Sequence, residues 1–129
     1  MYCLDTDVII DFLRNKPAVI EKIKRISSIG ISTTYLNVCE LYKGVYLAGM
    51  PENEISAIGE FLKKIDILDL DERACNLYGR NFALLKRQGN QVQEFDLLIA
   101  CIAISHKQIM ITRNIKHFSN IPDLELGAW

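Results

Sequence analysis

The chain has 129 residues, half of them hydrophobic and 24% charged, with a formal net charge of −1, which describes one globular domain, 1–129, around a single core. That charge balance excludes a protein that coats DNA through a global basic field, while leaving room for an enzyme that meets RNA through a local patch. No apolar run reaches the ~20 residues of a membrane span and no apolar leader opens the chain, so a cytoplasmic location is expected.

Tyr2-Cys3-Leu4 reads as a short buried strand, interrupted by Asp5-Thr6-Asp7 before apolar residues resume at Val8-Ile9-Ile10. Asp and Thr disfavour strand interiors and favour helix starts, because their oxygens accept from the free N–H groups of a first turn. The pattern predicts a strand that ends at Leu4 or Asp5 and hands over at once to a helix. In open α/β sheets ligands bind beyond the carboxyl ends of the strands, where Asp5 would project. Whether Asp5 and Asp7 do more than cap the helix depends on which other carboxylates converge there.

After the break at Arg14-Asn15-Lys16-Pro17, Val19, Ile20, Ile23 and Ile26 mark a helical stripe, with Lys22, Lys24 and Arg25 off it as a solvated face. Gly30-Ile31-Ser32-Thr33 predicts a short strand, and Thr33 or Thr34 caps the helix that follows, about Thr34 to Ala48. Leu36, Val38, Cys39, Leu41, Tyr42 and Val45 make that helix apolar over most of its surface, which predicts little exposure. Thr33, Asn37, Glu40 and Gly44 fall on one narrow polar line, and Glu40 is the helix's one acid. Gly44, a turn later, costs about 1 kcal/mol relative to Ala in a helix interior. Its missing side chain would leave room for a ligand or a second backbone.

Met50-Pro51-Glu52 predicts a turn into a helix marked by Ile55, Ile58, Leu62 and Ile65, and Ile65 to Leu68 a short strand. Asp69-Leu70-Asp71-Glu72 opens the next helix, and capping explains these acids without a catalytic role. Ala74, Leu77, Tyr78, Phe82 and Leu85 form its predicted buried face, with Lys86-Arg87 and Gly89 as the stop. Gln93-Glu94-Phe95-Asp96 then precedes Leu97 to Ile104, apolar all round and therefore a central buried helix with Asp96 at its N-terminus. Ile109-Met110-Ile111 is a brief strand ending at Thr112-Arg113-Asn114, a second strand end where side chains can meet at the switch point of a sheet. A Pro loop at Ile121-Pro122-Asp123 and Leu124-Glu125-Leu126 close the chain. The four cysteines, Cys3, Cys39, Cys75 and Cys101, make no Cys-x-x-Cys pair and read as reduced core residues.

If the strands lie parallel, Asp5, Glu40 and Asp96 come from a strand end, a helix flank and a helix start. Like charges gathered in a cleft raise one another's pKa, and a divalent cation relieves them. Hard carboxylate oxygens without cysteine or paired histidine select Mg²⁺ or Mn²⁺ over zinc. One or two such ions polarise a phosphodiester, activate a water and stabilise the leaving oxygen, which is nuclease chemistry without a nucleophilic side chain.

LDTDVIIDFLR, TTYLNVCELYKG, EFDLLIACIA and ITRNIKHFSNIPDLELGAW, in that order, resemble the four motif regions of a PIN-domain ribonuclease, in particular a VapC-type toxin of a toxin–antitoxin pair. The likeness covers nearly the whole chain. It implies an α/β, PIN-like three-layer fold with a mainly parallel central sheet flanked by helices. It further implies a Mg²⁺- or Mn²⁺-dependent endoribonuclease of single-stranded or loop RNA, a homodimer, and a cognate VapB-like antitoxin. It places metal-binding carboxylates at Asp5, Glu40 and Asp96, with Glu94 a further acid beside the cleft, Thr112-Arg113-Asn114 as the fourth region, and Asp7 in support.

The chain departs from the fullest family pattern in that region, where many members carry an acid at the position of Asn114 or of His117. Asn114 could still hold a metal-bound water, and His117 reads as a surface residue. With one acid fewer a second metal is weakly held, so the free protein is expected to bind one ion tightly at most. The expected chemistry is in-line attack by a metal-activated water, with Asp5 and Asp96 as ligands and Glu40 as ligand or water-orienting base. Arg113, Arg14 and Lys43 are the candidate RNA contacts. Three readings compete: a receiver-like signalling module, a PIN module that has lost catalysis and only binds RNA, and a PIN nuclease that processes RNA without an antitoxin. The first needs an acceptor Asp at a middle strand end and a Lys at a later one; here those places hold Asp66 or Asp69 and Thr112-Arg113.

Overall fold

The computed structural model describes residues 1–49 and 52–129, so the turn predicted at Met50-Pro51 lies outside the described residues. The chain opens with β1 (Tyr2–Leu4), α1 (Thr6–Leu13), α2 (Pro17–Ile26), β2 (Ile31–Thr34), α3 (Tyr35–Leu47) and α4 (Glu52–Leu62). It continues through β3 (Asp66–Leu68), α5 (Glu72–Gln88), α6 (Glu94–Ser105), β4 (Ile109–Thr112), α7 (Ile115–Phe118) and β5 (Leu126–Ala128). The strands form one sheet in the order β3-β2-β1-β4-β5, and every pair is parallel. Parallel neighbours require crossovers, and the crossover helices bury both faces, which is why the strands read as short apolar runs rather than alternating ones.

Side chains of successive strand residues point to opposite faces, and the two halves of the core divide accordingly. Cys3 and Met110, paired across β1 and β4, join α6 and the inner side of α5 in one layer. Leu4 and Ile111, the next pair, join α1, α2, α3 and α4 in the other. This is the three-layer arrangement expected, with α6 as the central helix: Leu97 and Ile99 to Ala103 are all buried. From β1 the chain steps outward to β2 and β3, then returns to the other side of β1 for β4 and β5. The order therefore reverses between β1 and β4, and the crevice at their carboxyl ends is where a ligand is expected. Among the described residues no helix is long and apolar enough to cross a membrane.

Several local expectations are corrected. Helix α3 buries only the line Asn37, Leu41, Val45, spaced by four, so its far side is exposed at Tyr35, Cys39, Tyr46 and Leu47 despite its apolar composition. Cys39 and Cys75 are exposed on outward helix faces, and only Cys3 and Cys101 are core residues. On α5 the buried line runs Ala74, Leu77, Asn81, Leu85, so Asn81 takes the inward place expected of Phe82, which is 39% exposed. The short α7 and the edge strand β5 were not foreseen. Thr34, not Thr33, caps α3, in a reciprocal capping box with Asn37.

Among the described residues no second backbone crosses Gly44, since a Cβ there would meet nothing within 4 Å. The position opens instead on a groove of about 200 Å³ lined by Ile10, Leu13, Leu41 and Ala48. Gly44→Ala is therefore expected to raise stability by about 1 kcal/mol through helix propensity alone. A higher urea midpoint is the check; a lower one would mean that the groove needs the open space.

Candidate active site

Where β1 ends, the Asp5 amide still donates to the Ile111 carbonyl of β4 at 2.9 Å, while its side chain begins α1 by accepting from the Thr6 N–H at 2.9 Å. Capping does not exhaust it. Asp5 Oδ1 also accepts from Asn37 Nδ2 at 3.1 Å, and Oδ2 accepts from the Thr112 hydroxyl at 2.7 Å. The carboxylate is thus held by donors from α1, α3 and β4 at the point where the strand order reverses, and it is 7% exposed. Asn114 contributes its backbone N–H to Thr112 Oγ1 at 3.0 Å, which fixes the hydroxyl that faces Asp5.

Asn37 is the hub. Its carbonyl oxygen is occupied by the Thr34 N–H and hydroxyl, so its two amide protons point to Asp5 Oδ1 and, at 3.0 Å, to Thr6 Oγ1. Thr6 passes the connection on by donating to Glu40 Oε1 at 2.7 Å. Asp5 and Glu40 are in this way joined through two neutral side chains. Asp96 stands in the first turn of α6, where the dipole favours an anion, with His117 Nδ1 at 3.8 Å. Asp7 Oδ2 accepts from the Arg113 N–H at 3.1 Å, while its Oδ1 is buried with no partner among the described residues.

All four acids are shifted. Burial pushes Asp5 up to about 6, the Thr112 and Thr6 hydrogen bonds opposing it and the charges of Asp7 and Glu40 adding to it. Burial likewise raises Asp7, Glu40 and Asp96, and Glu40 feels the repulsion of Asp96 and Asp7 as well. As the side chains lie, no three acidic, histidine or cysteine groups among the described residues are gathered tightly enough to grip one ion. Glu40 is turned to Thr6, Asp96 lies toward His117, and Asp5 is held by its three donors. In kind the donors do fit a hard divalent cation: mutually repelling carboxylates raised toward neutrality, and an unpartnered buried oxygen on Asp7.

The remaining predicted positions divide. Glu94 is exposed and accepts from the Tyr78 hydroxyl at 3.0 Å, which ties it to α5 and not to the other acids. Lys43 is exposed, and its charge partly offsets the shift of Glu40. Arg14 lies at the groove beside Gly44. Arg113 is largely engaged: its Nε is 3.2 Å from Asp11 and 3.8 Å from Asp7. Asp11, 3% exposed and also paired with Lys16 at 2.9 Å, has no counterpart in the sequence reading, nor has the part played by Thr6. The Thr34–Asn37 spacing was the signal available for Asn37; Asp11 offered none, because a partner on the last third of the chain is invisible to helical periodicity.

Comparison with known proteins identifies the family of this fold. The PIN-domain family profile matches residues 2–124. Ribonuclease VapC1 of Haemophilus influenzae strain R2866 is 33% identical over 133 aligned positions, covering 100% of this chain and 98% of the relative. The tRNA(fMet)-specific endonuclease VapC of Shigella flexneri is 32% identical over 128, covering 99% and 97%. The crystal structure of VapBC2 from Rickettsia felis bound to promoter DNA holds a chain that superposes with a TM-score of 0.93 at 27% identity, over 99% of this chain and 98% of that one. Matched by the family model from residue 2 to residue 124, and similar over its full length to relatives named VapC ribonucleases, the chain belongs to the PIN-domain family.

Proposed function

We propose that the protein is a Mg²⁺- or Mn²⁺-dependent endoribonuclease that cuts single-stranded or loop RNA as the toxin of a VapBC-like pair, restrained by a VapB-like antitoxin and acting as a homodimer in the cytoplasm. The observation that carries the chemistry is Asp5, a buried carboxylate held from three elements at the switch point, with Glu40 and Asp96 close enough for their charges to couple. The partner is supported by relatives named VapC and by solved complexes named VapBC.

Asp5, Glu40 and Asp96 would hold the ion, with the free oxygen of Asp7 beside them. When bound, it supplies charge for the phosphodiester and lowers the pKa of an attacking water. The protein's own share is orientation and proton handling. Thr112 and Asn37 fix both oxygens of Asp5, so the carboxylate is oriented in advance and Oδ2, with a single donor, keeps acceptor capacity. Glu40, raised by burial and tethered at one oxygen by Thr6, keeps the other oxygen to orient a water and take its proton. Arg113, Arg14 and Lys43 are the RNA contacts proposed, Arg113 with the edge of its guanidinium not used by Asp11. Since one relative is named a tRNA(fMet)-specific endonuclease, tRNA loops are the first substrates to try.

Mapping new RNA ends across total RNA after brief expression, with Asp5→Asn as control, tests the activity; ends that also appear with the control would remove it. For the ion, calorimetric titration of the metal-free protein with Mn²⁺ is expected to show one tight site. Two tight sites without RNA would contradict the missing acid of the fourth region.

A further inference from the structure

The turn between α5 and α6 encloses a cavity of about 280 Å³ against the first turn of α6. Its wall includes Phe82 and Leu85 of α5, Lys86, Asn90, Gln91 and Leu97. Leu97 directly follows Asp96, and consecutive helical side chains project about 100° apart. One helical turn therefore faces the acidic cleft on one side and this cavity on the other. We propose that the cavity receives one unstacked nucleobase of the RNA, beside the scissile phosphate; the proposal rests on the ribonuclease reading and names the part of the substrate it reads.

Size and lining argue for a base. The cavity is smaller than the ~300–1,000 Å³ of pockets that bury whole small ligands, and so suits a single ring system. Phe82 is a large aromatic that remains 39% exposed, with Tyr78 tilted against it at 5.9 Å. An aromatic ring open to solvent is a stacking platform for any base. The amides supply what stacking lacks, a means to tell bases apart by their edges. The Gln91 side chain makes no hydrogen bond among the described residues, and Asn90 makes only a long one, 3.5 Å to Gln88. Gly89, in the left-handed region at φ 72°, turns the chain at the end of α5 just before these two amides. Lys86 has no carboxylate within ion-pair range among the described residues, and it gives this wall a positive edge for the backbone phosphate. Phe95, 40% exposed, is a further open aromatic in the same turn as Asp96. A second copy of the chain would fit less well, because an apolar partner leaves the two amides unpaired and desolvated.

The test is cleavage of a random-sequence RNA library by the full chain with Mn²⁺, together with binding of a fluorescein-labelled mixed-sequence single-stranded RNA to the Asp5→Asn chain. In the cleavage arm the unmodified chain is expected to prefer certain bases at one position next to the cut. Gln91→Ala should flatten that preference, and Phe82→Ala should raise KM about tenfold, as loss of one base–aromatic stack does. In the binding arm Phe82→Ala should weaken affinity by a similar factor. If the unmodified chain cuts nothing, the ribonuclease reading fails, and the binding arm still decides whether the cavity takes a base. Unchanged affinity and unchanged base preference in both variants overturn the proposal. So does conversion of a dimer to monomers by Phe82→Ala, which would assign this face to a second copy. Should Phe82→Ala lose its helical circular dichroism, Gln91→Ala, on an exposed turn, carries the test alone.

Discussion

Asp5→Asn is expected to abolish RNA cleavage and, in the same protein, to raise stability at neutral pH. The first effect follows from removing a charge that would hold the ion; outer contacts to a metal ligand are already worth 10–100-fold, so the loss should exceed about 100-fold. The second follows from burial. The folded chain keeps a proton on Asp5 up to about pH 6, while the unfolded chain releases it near 3.8. Between those values the native state binds more protons, so stability falls as pH rises through the window, and the full deficit is present above it. Two units of pKa correspond to about 3 kcal/mol as an upper bound. The amide has no charge to bury, and the Thr112 hydroxyl can rotate to accept from it. Thermal melts in EDTA should place the variant several degrees above the unmodified chain at pH 8, with the gap closing toward pH 4. Mn²⁺ should narrow the gap at pH 8 by stabilising only the unmodified chain. A variant less stable than its parent at pH 8 would mean that the three hydrogen bonds to the carboxylate outweigh its burial.

Asn37→Asp is the opposite experiment, one that adds a charge without changing shape. Asn37 is fully buried, and its amide donates to Asp5 Oδ1 and Thr6 Oγ1. The substitution replaces that donor with an oxygen 3.1 Å from an existing carboxylate. An uncompensated buried charge costs about 3–5 kcal/mol, and this is the size of destabilisation expected at pH 8. Protonation of either acid restores a hydrogen bond between them, so the folded state gains protons relative to the unfolded one and stability should recover as pH falls through about 6, where Asp5 already takes its proton in the unmodified chain. Urea unfolding at pH 5 and pH 8 measures the difference. Equal midpoints at the two values would show that the added carboxylate escapes to solvent and that Asn37 is not the fixed link between Asp5 and Glu40.

How far these contacts could be read from residues alone varied with their span along the chain. The strand-to-helix passage at Asp5 and the buried helix α6 were legible because each rests on a local pattern: a cap after a short apolar run, and eight apolar residues without a polar face. The grouping of Asp5, Glu40 and Asp96 came from residue chemistry supported by the likeness to PIN domains, and the structure links the first two through Thr6 and Asn37. Those linkers were not legible, since Asn37 reaches Asp5 across 32 positions and its capping role already accounts for its residue type. The pairing of Asp11 with Arg113 was missed for the same reason, although Arg113 itself is among the residues read as RNA contacts. The open side of α3 and the exchange of Asn81 for Phe82 show a different limit: composition tells how apolar a helix is, whereas the faces its neighbours leave uncovered depend on layer geometry. Strand β5, Leu-Gly-Ala, carries almost no strand propensity of its own and forms because β4 offers it an edge.

The hydrogen bond that joins Asp5 to Thr112 spans 107 positions. β1 is made first and waits for β4, the strand that supplies both the carbonyl partner of the Asp5 amide and the hydroxyl on its side chain. During translation a chain domain completes itself only when its most distant contacts have emerged. Until β4 has emerged, Asp5 therefore lacks the carbonyl and the hydroxyl that aim it. A fragment stopped short of β4 would leave Asp5 without those two partners permanently.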